Sequence, residues 1–285
     1  MALGLGAALL AAVVFGSSAV LQAVGSRRVE TAQRLDPRLY LQLLRQPAFV
    51  AAFVLNLVGF VLHLVAIRLL PLFLAQAGIA ASLAVTALLA VLVFHDRLVR
   101  VEWAAVAAVC VGLALLTAAA GSTGEERATA TLDLTLALGV VVIAAAGAVV
   151  SRTHGGVSAT VLSVLAGLGF ATTAVAARAV PGISVSEVLA APAAYILPIA
   201  GALAFLLYSV ALQRGAVTAA TAPMIVLQTV TPAVVGVWAL GDEVRSGWLA
   251  PAVVGLVLTV VGAVTLARYE AVRERERDSL QGLAP

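Results

Sequence analysis

Nine apolar stretches, each about 20 residues long, fill most of this 285-residue chain. A helix of about 20 apolar residues crosses the hydrocarbon core of a bilayer. The stretches are far longer than barrel strands and show no two-residue alternation, so helices would satisfy the backbone hydrogen bonds in lipid. The sequence therefore predicts an all-α polytopic membrane protein with about nine transmembrane helices. The predicted spans are 3–25, 47–68, 72–95, 101–120, 132–150, 157–180, 190–211, 217–240 and 247–267.

The composition agrees with a membrane location, because 62% of the residues are hydrophobic and only 11% are charged. The net charge is +3, and every cation is an arginine between or beside apolar spans, which indicates a topology signal and no nucleic-acid partner. The first span lacks a basic region before it and a cleavage site after it, so we expect it to remain in the mature protein. The absence of lysine beside abundant alanine, glycine and arginine favours a bacterial cytoplasmic membrane.

The arginines also predict an orientation, with the N-terminus outside and the C-terminus in the cytoplasm. Of the 17 arginines, most then lie on the inner side, as the positive-inside rule requires. The longest inner loop, 26–46, is expected to be solvated, with a short interfacial helix as the alternative. The tail 268–285 has charges at i,i+4 spacing, which favours continuation of the last helix. The inner arginines are Arg27, Arg28, Arg34, Arg38, Arg45, Arg97, Arg100, Arg152, Arg214, Arg268, Arg273, Arg275 and Arg277.

An internal repeat links the two halves of the chain. Segment 15–20, which reads Phe-Gly-Ser-Ser-Ala-Val, recurs at 170–175 as Phe-Ala-Thr-Thr-Ala-Val, and Phe60 is answered by Phe205. The second copy begins five spans after the first and would therefore run in the opposite direction, an arrangement found in many secondary transporters. The predicted units are a first four-helix repeat at 1–120, an outer loop with linker helix at 121–156, a second, inverted repeat at 157–267 and a charged cytoplasmic tail at 268–285.

Several short patterns are shared with one transporter superfamily. They are Phe15-Gly16-Ser17-Ser18, the small-residue stretch 216–223, Pro232, Leu240-Gly241-Asp242-Glu243, and the glycines Gly255 and Gly262. On these the chain resembles the drug/metabolite transporter superfamily, especially its EamA-type members and the related NIPA-like magnesium-transporter branch. The resemblance implies a helical bundle with a central cavity and secondary transport of small metabolites, often outward. NIPA-like proteins carry an acidic residue in the second helix, where this chain has Asn56.

Polar residues at membrane depth are the candidate functional residues, because burying them in hydrocarbon is costly. No Asp or Glu lies well inside a predicted span, so the sequence predicts no metal site and no cofactor. It also contains no phosphate-binding loop, zinc ligand cluster or nucleophile triad, and we expect no enzymatic activity. The candidate substrate-binding residues are Asn56, His63, Gln76, Tyr208, Gln228 and Thr231.

Four of these candidates have alternative interpretations, which for Asn56 and Gln76 are ligand binding and helix packing. His63 is the interior group that could serve proton coupling, or it could simply hydrogen-bond a neighbouring helix. Pro232 lacks an N–H and frees the carbonyl group of Gln228, which could bind substrate or could mark a kink satisfied by threonine.

Two further pairs of polar residues are assigned structural roles. The hydroxyl pairs 17–18 and 172–173 are expected to permit close helix packing. Asp242 and Glu243 are expected to form a solvated turn, with a helix-end cap as the alternative.

The predicted function is secondary transport of a small neutral or amphipathic organic molecule by alternating access. One alternative is a divalent-cation transporter, which rests on the family resemblance. The other is a non-transporting scaffold subunit of a cell-envelope complex, indicated by the basic loop and the charged tail. The predicted partners are membrane lipids and the small-molecule substrate, with a homodimer through small-residue faces as a further alternative.

Overall fold

The computed structural model describes residues 1–26, 47–94, 98–124, 129–152, 156–180, 184–214 and 217–281. In these ranges nine helices are long and apolar enough to span a bilayer, which confirms the prediction of a polytopic α-helical membrane protein. A tenth, short helix precedes the seventh span. The helices are α1 (Ala2–Ser26), α2 (Pro47–Leu69), α3 (Leu72–Phe94), α4 (Arg100–Ala119), α5 (Ala130–Val150), α6 (Gly156–Ala179), α7 (Val185–Ala190), α8 (Pro192–Arg214), α9 (Val217–Ala239) and α10 (Leu249–Gln281).

The observed helices agree closely with the predicted spans. Helix α10 continues to Gln281, as the charge spacing of the tail predicts. The basic loop, from residue 27 to residue 46, lies outside the described residues. Large apolar side chains on the outside of the bundle, such as Leu57 and Trp238, are exposed and would face lipid.

The helices pack in matching patterns in the two halves. Helix α1 contacts α2 and α3, and helix α6 likewise contacts α8 and α9. Helix α4 packs along α10, and α3 contacts α9. Helix α5 packs against α6 and α8. The contacts within 1–120 thus have counterparts within 157–267, whereas the inverted repeat itself stays a prediction.

Small residues let several of these helices approach closely. A methyl group at Gly112 of α4 would lie 2.6 Å from the carbonyl oxygen of Gly255 on α10. One at Gly16 of α1 would lie 2.8 Å from the Cβ of Val85 on α3. The Ser18 hydroxyl donates a 2.8 Å hydrogen bond to the carbonyl oxygen of Ala52 on α2. The packing role predicted for the first hydroxyl pair is therefore confirmed at Ser18.

Candidate binding cavity and the adjacent ion pair

A cavity of about 210 Å³ lies between the two halves of the bundle. Helices α1, α2 and α3 line one side, and α6, α8 and α9 line the other. These are corresponding helices in the predicted repeat. The lining residues are Phe15, Phe60, His63, Leu64, Ile67, Gln76, Ile79, Phe170, Thr173, Ala174, Ala177, Gly201 and Gln228.

The polar groups of the cavity are mostly uncommitted. His63 is 6% exposed and Gln76 is 4% exposed, and Gln228 is half-buried. Within the part of the chain that the structure describes, these three side chains form no hydrogen bond with the protein. Among the described residues, His63 therefore does not form the hydrogen bond to a neighbouring helix that its alternative interpretation requires. Buried polar groups normally have partners, so these side chains are well suited to bind a ligand.

Of the six residues predicted to bind substrate, the cavity brings together His63, Gln76 and Gln228. The other three lie outside its lining. Asn56 precedes His63 by two helical turns on the same face of α2. The hydroxyl oxygen of Tyr208 lies 2.7 Å from Oγ1 of Thr221, which joins α8 to α9. Thr231 lies one turn beyond Gln228 on α9, a helix that runs unbroken through Pro232.

Four lining residues with a role in shaping the cavity were absent from the predicted set: Phe15, Phe60, Phe170 and Thr173. The predicted repeat carries a signal for two of them, because the sequence match pairs Phe15 with Phe170. The packing role predicted for the second hydroxyl pair is incomplete, since Thr173 lines the cavity. Its Oγ1 donates a 3.0 Å hydrogen bond to the carbonyl oxygen of Gly169, which leaves its oxygen able to accept another.

A buried ion pair lies at one end of the cavity. Nη2 of Arg178 lies 2.9 Å from Oδ1 of Asp242, and their side chains are 7% and 0% exposed. The pair is adjacent to the cavity because Ile67, whose carbonyl oxygen accepts a hydrogen bond from Arg178, lines it, as does Ala177. We refer to Arg178, Asp242 and the backbone of Leu70, Leu72 and Gly124 as the Arg178 cluster.

The turn after α9 places Asp242 at the start of another helix. Gly241 has a φ of 72°, a conformation that glycine adopts without steric cost, and it reverses the chain after α9. The Asp242 carboxylate then accepts hydrogen bonds from the N–H of Leu72 at 2.6 Å and from that of Gly124 at 3.1 Å. The expectation of a solvated turn is wrong for Asp242, and the helix-end cap is correct. Asp242 differs from the expectation because the first N–H groups of α3 have no partner within that helix, and the carboxylate binds one of them in place of water.

Arg178 binds the turn between α2 and α3 from the side where α2 ends. Its Nη1 donates to the carbonyl oxygens of Ile67 and Leu70, the latter at 2.8 Å, where α2 ends. Its Nη2 also reaches the carbonyl oxygen of Gly124 at 3.4 Å. The ion pair therefore caps both helices of the α2–α3 turn, the last carbonyls by Arg178 and the first N–H by Asp242.

Two opposing influences act on the pKa of the Asp242 carboxyl. Burial raises the pKa of the Asp242 carboxyl, while the amide N–H groups of Leu72 and Gly124 and the Arg178 guanidinium act to lower it. The amino-acid sequence predicts a topology signal at Arg178 and a solvated turn at Asp242, and it does not predict their pairing. No local pattern links residues this far apart in the chain, although Gly241 directly before Asp242 was a sign of a specific turn.

A second cavity of about 220 Å³ lies between α3, α4, α9 and α10. Its described lining includes Phe73, Leu116, Val237, Trp238 and Leu256, and it is apolar throughout. A binding site for a specific small molecule usually has a few polar groups that orient the ligand. The first cavity is therefore the better candidate site.

Comparison of the chain with protein-family models, curated proteins and solved structures gives no match. The resemblance to the drug/metabolite transporter superfamily therefore stays a prediction. The candidate site rests on the geometry of the cavity and of the Arg178 cluster.

Proposed function

We propose that this protein is a secondary transporter that moves a small neutral or amphipathic organic molecule by alternating access. One observation carries the proposal. The cavity lies between three helices of each half and contains buried, uncommitted polar side chains. Such groups are costly in a membrane interior unless they serve a ligand.

The arrangement of helices supports this proposal. Alternating access requires two bodies that can rock against each other around a site between them. The contacts of α1 with α2 and α3 have counterparts in those of α6 with α8 and α9, so the first three spans of each half pack together, while α4 and α10 pack on each other across the halves. The cavity lies where these units meet.

The Arg178 cluster would close the cavity at one end. Its ion pair joins α6 and the end of α9 to the turn between α2 and α3, so it crosses the boundary between the halves. Opening this end would separate Arg178 and Asp242 from the backbone groups that they cap. With the orientation predicted from the arginines, this end faces the outside of the cell.

The proposal is tested by transport in proteoliposomes with a variant that fills the cavity. Gly201 lines it, and a Cβ there would lie 3.6 Å from Oγ1 of Thr173, an ordinary contact. Gly201→Leu should therefore fold and occupy the space of the ligand. We expect wild-type protein to give flux of at least one solute from a panel of radiolabelled uncharged metabolites, and Gly201→Leu to abolish it.

Gly139→Leu is the matched control. Gly139 lies on α5, and a Cβ there meets nothing within 4 Å. This variant should transport like the wild type. Absence of flux for every solute, or flux that Gly201→Leu leaves unchanged, would contradict the proposal.

The two alternative functions stay predictions. No group of three or more His, Cys, Asp or Glu side chains within the described residues has the arrangement of a metal site, so no observation there favours the divalent-cation alternative. The scaffold alternative rests on the basic loop, which lies outside the described ranges, and on the charged tail, which continues α10.

A further inference from the structure

The lining of the cavity has a composition that points to one class of ligand. Aromatic rings come from three helices: Phe15 on α1, Phe60 on α2 and Phe170 on α6. Aromatic side chains interact favourably with the faces and edges of other rings, beyond the area that they bury. A flat, conjugated molecule fits such a lining better than a flexible chain does.

The polar groups call for a ligand with both a donor and an acceptor. Gln76 lies on α3 and Gln228 on α9, so they approach the cavity from different halves. Each amide carries a donor and an acceptor side by side, which matches the edge of a heteroaromatic amide or lactam in a paired hydrogen bond. The imidazole of His63 and the hydroxyl of Thr173 can add further contacts.

Charge on the ligand is disfavoured. Among the described residues that line the cavity, none is Asp, Glu, Lys or Arg. The nearby guanidinium of Arg178 is already paired with Asp242. An ionised carboxylate or ammonium would lose its hydration here without gaining a counter-charge.

The volume limits the size of the ligand. The cavity holds about 210 Å³. Pockets for drug-sized ligands begin near about 300 Å³. The cavity therefore suits one ring or a fused pair of rings.

We propose that the ligand of this cavity is an uncharged heteroaromatic molecule of one or two rings with an amide-like hydrogen-bonding edge. This inference rests on the proposed function for its transport role, but binding can be measured without transport.

Three related compounds separate the features of this ligand. Nicotinamide has an aromatic ring and an uncharged amide, nicotinate has the same ring with a carboxylate, and cyclohexanecarboxamide has the amide without an aromatic ring. The detergent-purified full chain is heated with each compound at equal concentration, and tryptophan fluorescence reports its melting temperature. We expect nicotinamide and the two-ring lactam hypoxanthine to raise the melting temperature, and nicotinate and cyclohexanecarboxamide to leave it unchanged.

Variants locate the binding. Phe170→Leu removes a ring contact and Gln228→Leu removes a hydrogen-bonding edge. Each should raise the dissociation constant for nicotinamide about tenfold. Phe205→Leu is the matched control, since Phe205 corresponds to Phe60 in the repeat but is 67% exposed. Phe170→Tyr keeps the ring and should retain binding, which distinguishes a lost contact from a misfolded variant.

The proposal on the ligand is overturned if nicotinate or cyclohexanecarboxamide stabilises the protein as well as nicotinamide does, or if neither nicotinamide nor hypoxanthine stabilises it. Flux in proteoliposomes separates this outcome from failure of the proposed function. Flux of a charged or non-aromatic solute that Gly201→Leu blocks would mean that the protein transports a different class. Binding of nicotinamide without flux of any solute would retain the ligand class and contradict transport.

Discussion

The Arg178 cluster and the cavity lie next to each other, yet their polar groups are in opposite conditions. In the cluster, the ion pair is surrounded by backbone partners, with four hydrogen bonds from Arg178 and two amide donors to Asp242. In the cavity, His63, Gln76 and Gln228 make no hydrogen bond to another described residue. The first region resembles a structural joint, and the second resembles a site prepared for a ligand.

Burial of a polar side chain does not by itself identify a functional residue. Asp242 and Gln76 are similarly inaccessible, at 2% and 4% exposed. The difference is whether the protein itself satisfies the buried group. A polar group that the protein satisfies stabilises the fold, whereas a polar group that faces a cavity without a protein partner can bind a ligand. Substitutions in the two regions should therefore separate stability from transport.

The largest effect is expected from removal of one charge of the cluster. Arg178→Met leaves the Asp242 carboxylate buried without its ion-pair partner, and loss of one partner of a buried pair costs about 3–5 kcal/mol. Thermal unfolding in detergent, followed by tryptophan fluorescence, should show a large fall in melting temperature. Arg245→Met is the control, because Arg245 is exposed and lies over the Trp248 ring at 5.9 Å. A similar fall in both variants would remove the special role of the cluster.

A smaller loss of stability should follow from a substitution that crowds the Arg178 cluster without changing its charge. A Cβ at Gly236 would lie 2.6 Å from Oδ2 of Asp242 and 3.0 Å from the Cβ of Leu72. Gly236→Ala should therefore displace the carboxylate from the start of α3, at a cost of about 1–3 kcal/mol. Gly139→Ala, which meets no such contact, should not lower the melting temperature. Equal melting temperatures for the two variants would contradict the capping geometry.

In the cavity, loss of a polar group should affect transport and spare the fold. Gln228→Leu removes an amide that has no partner in the described structure, so the free energy of unfolding should change by about 1 kcal/mol or less, in either direction. Flux in proteoliposomes should fall about tenfold, because the ligand loses a hydrogen-bonding edge. A variant that transports normally but unfolds easily would assign Gln228 to the structure instead.

The smallest effect on flux is expected from substitution of Asn56, and this variant tests how far the binding site extends along α2. Asn56 lies two turns from His63 and does not line the cavity, so Asn56→Leu should reduce flux less than about threefold. The same proteoliposome assay compares it directly with Gln228→Leu. A tenfold loss at Asn56 would extend the binding site along α2 away from the Arg178 end.

Much of the fold follows from the chain alone because lipid imposes a simple rule. A backbone without water must satisfy its own hydrogen bonds, so each apolar stretch of sufficient length becomes a helix. The nine spans within the described residues and the continuation of α10 follow from this rule and from the charge pattern of the tail. Half of the predicted site residues also meet in the cavity, since polar groups at membrane depth are few and tend to serve a purpose.

The amino-acid sequence alone thus predicts the nine spanning helices of the described residues, their approximate limits and the short set of polar groups at membrane depth. Helix packing, in contrast, determines which of these groups share a cavity, which phenylalanines line it with them, and that Arg178 and Asp242 form one buried pair. The physical reason is that helix formation in lipid depends on local hydrophobicity. Partners such as Arg178, Leu72 and Asp242 lie on three separate segments, and helix packing brings them within hydrogen-bonding distance.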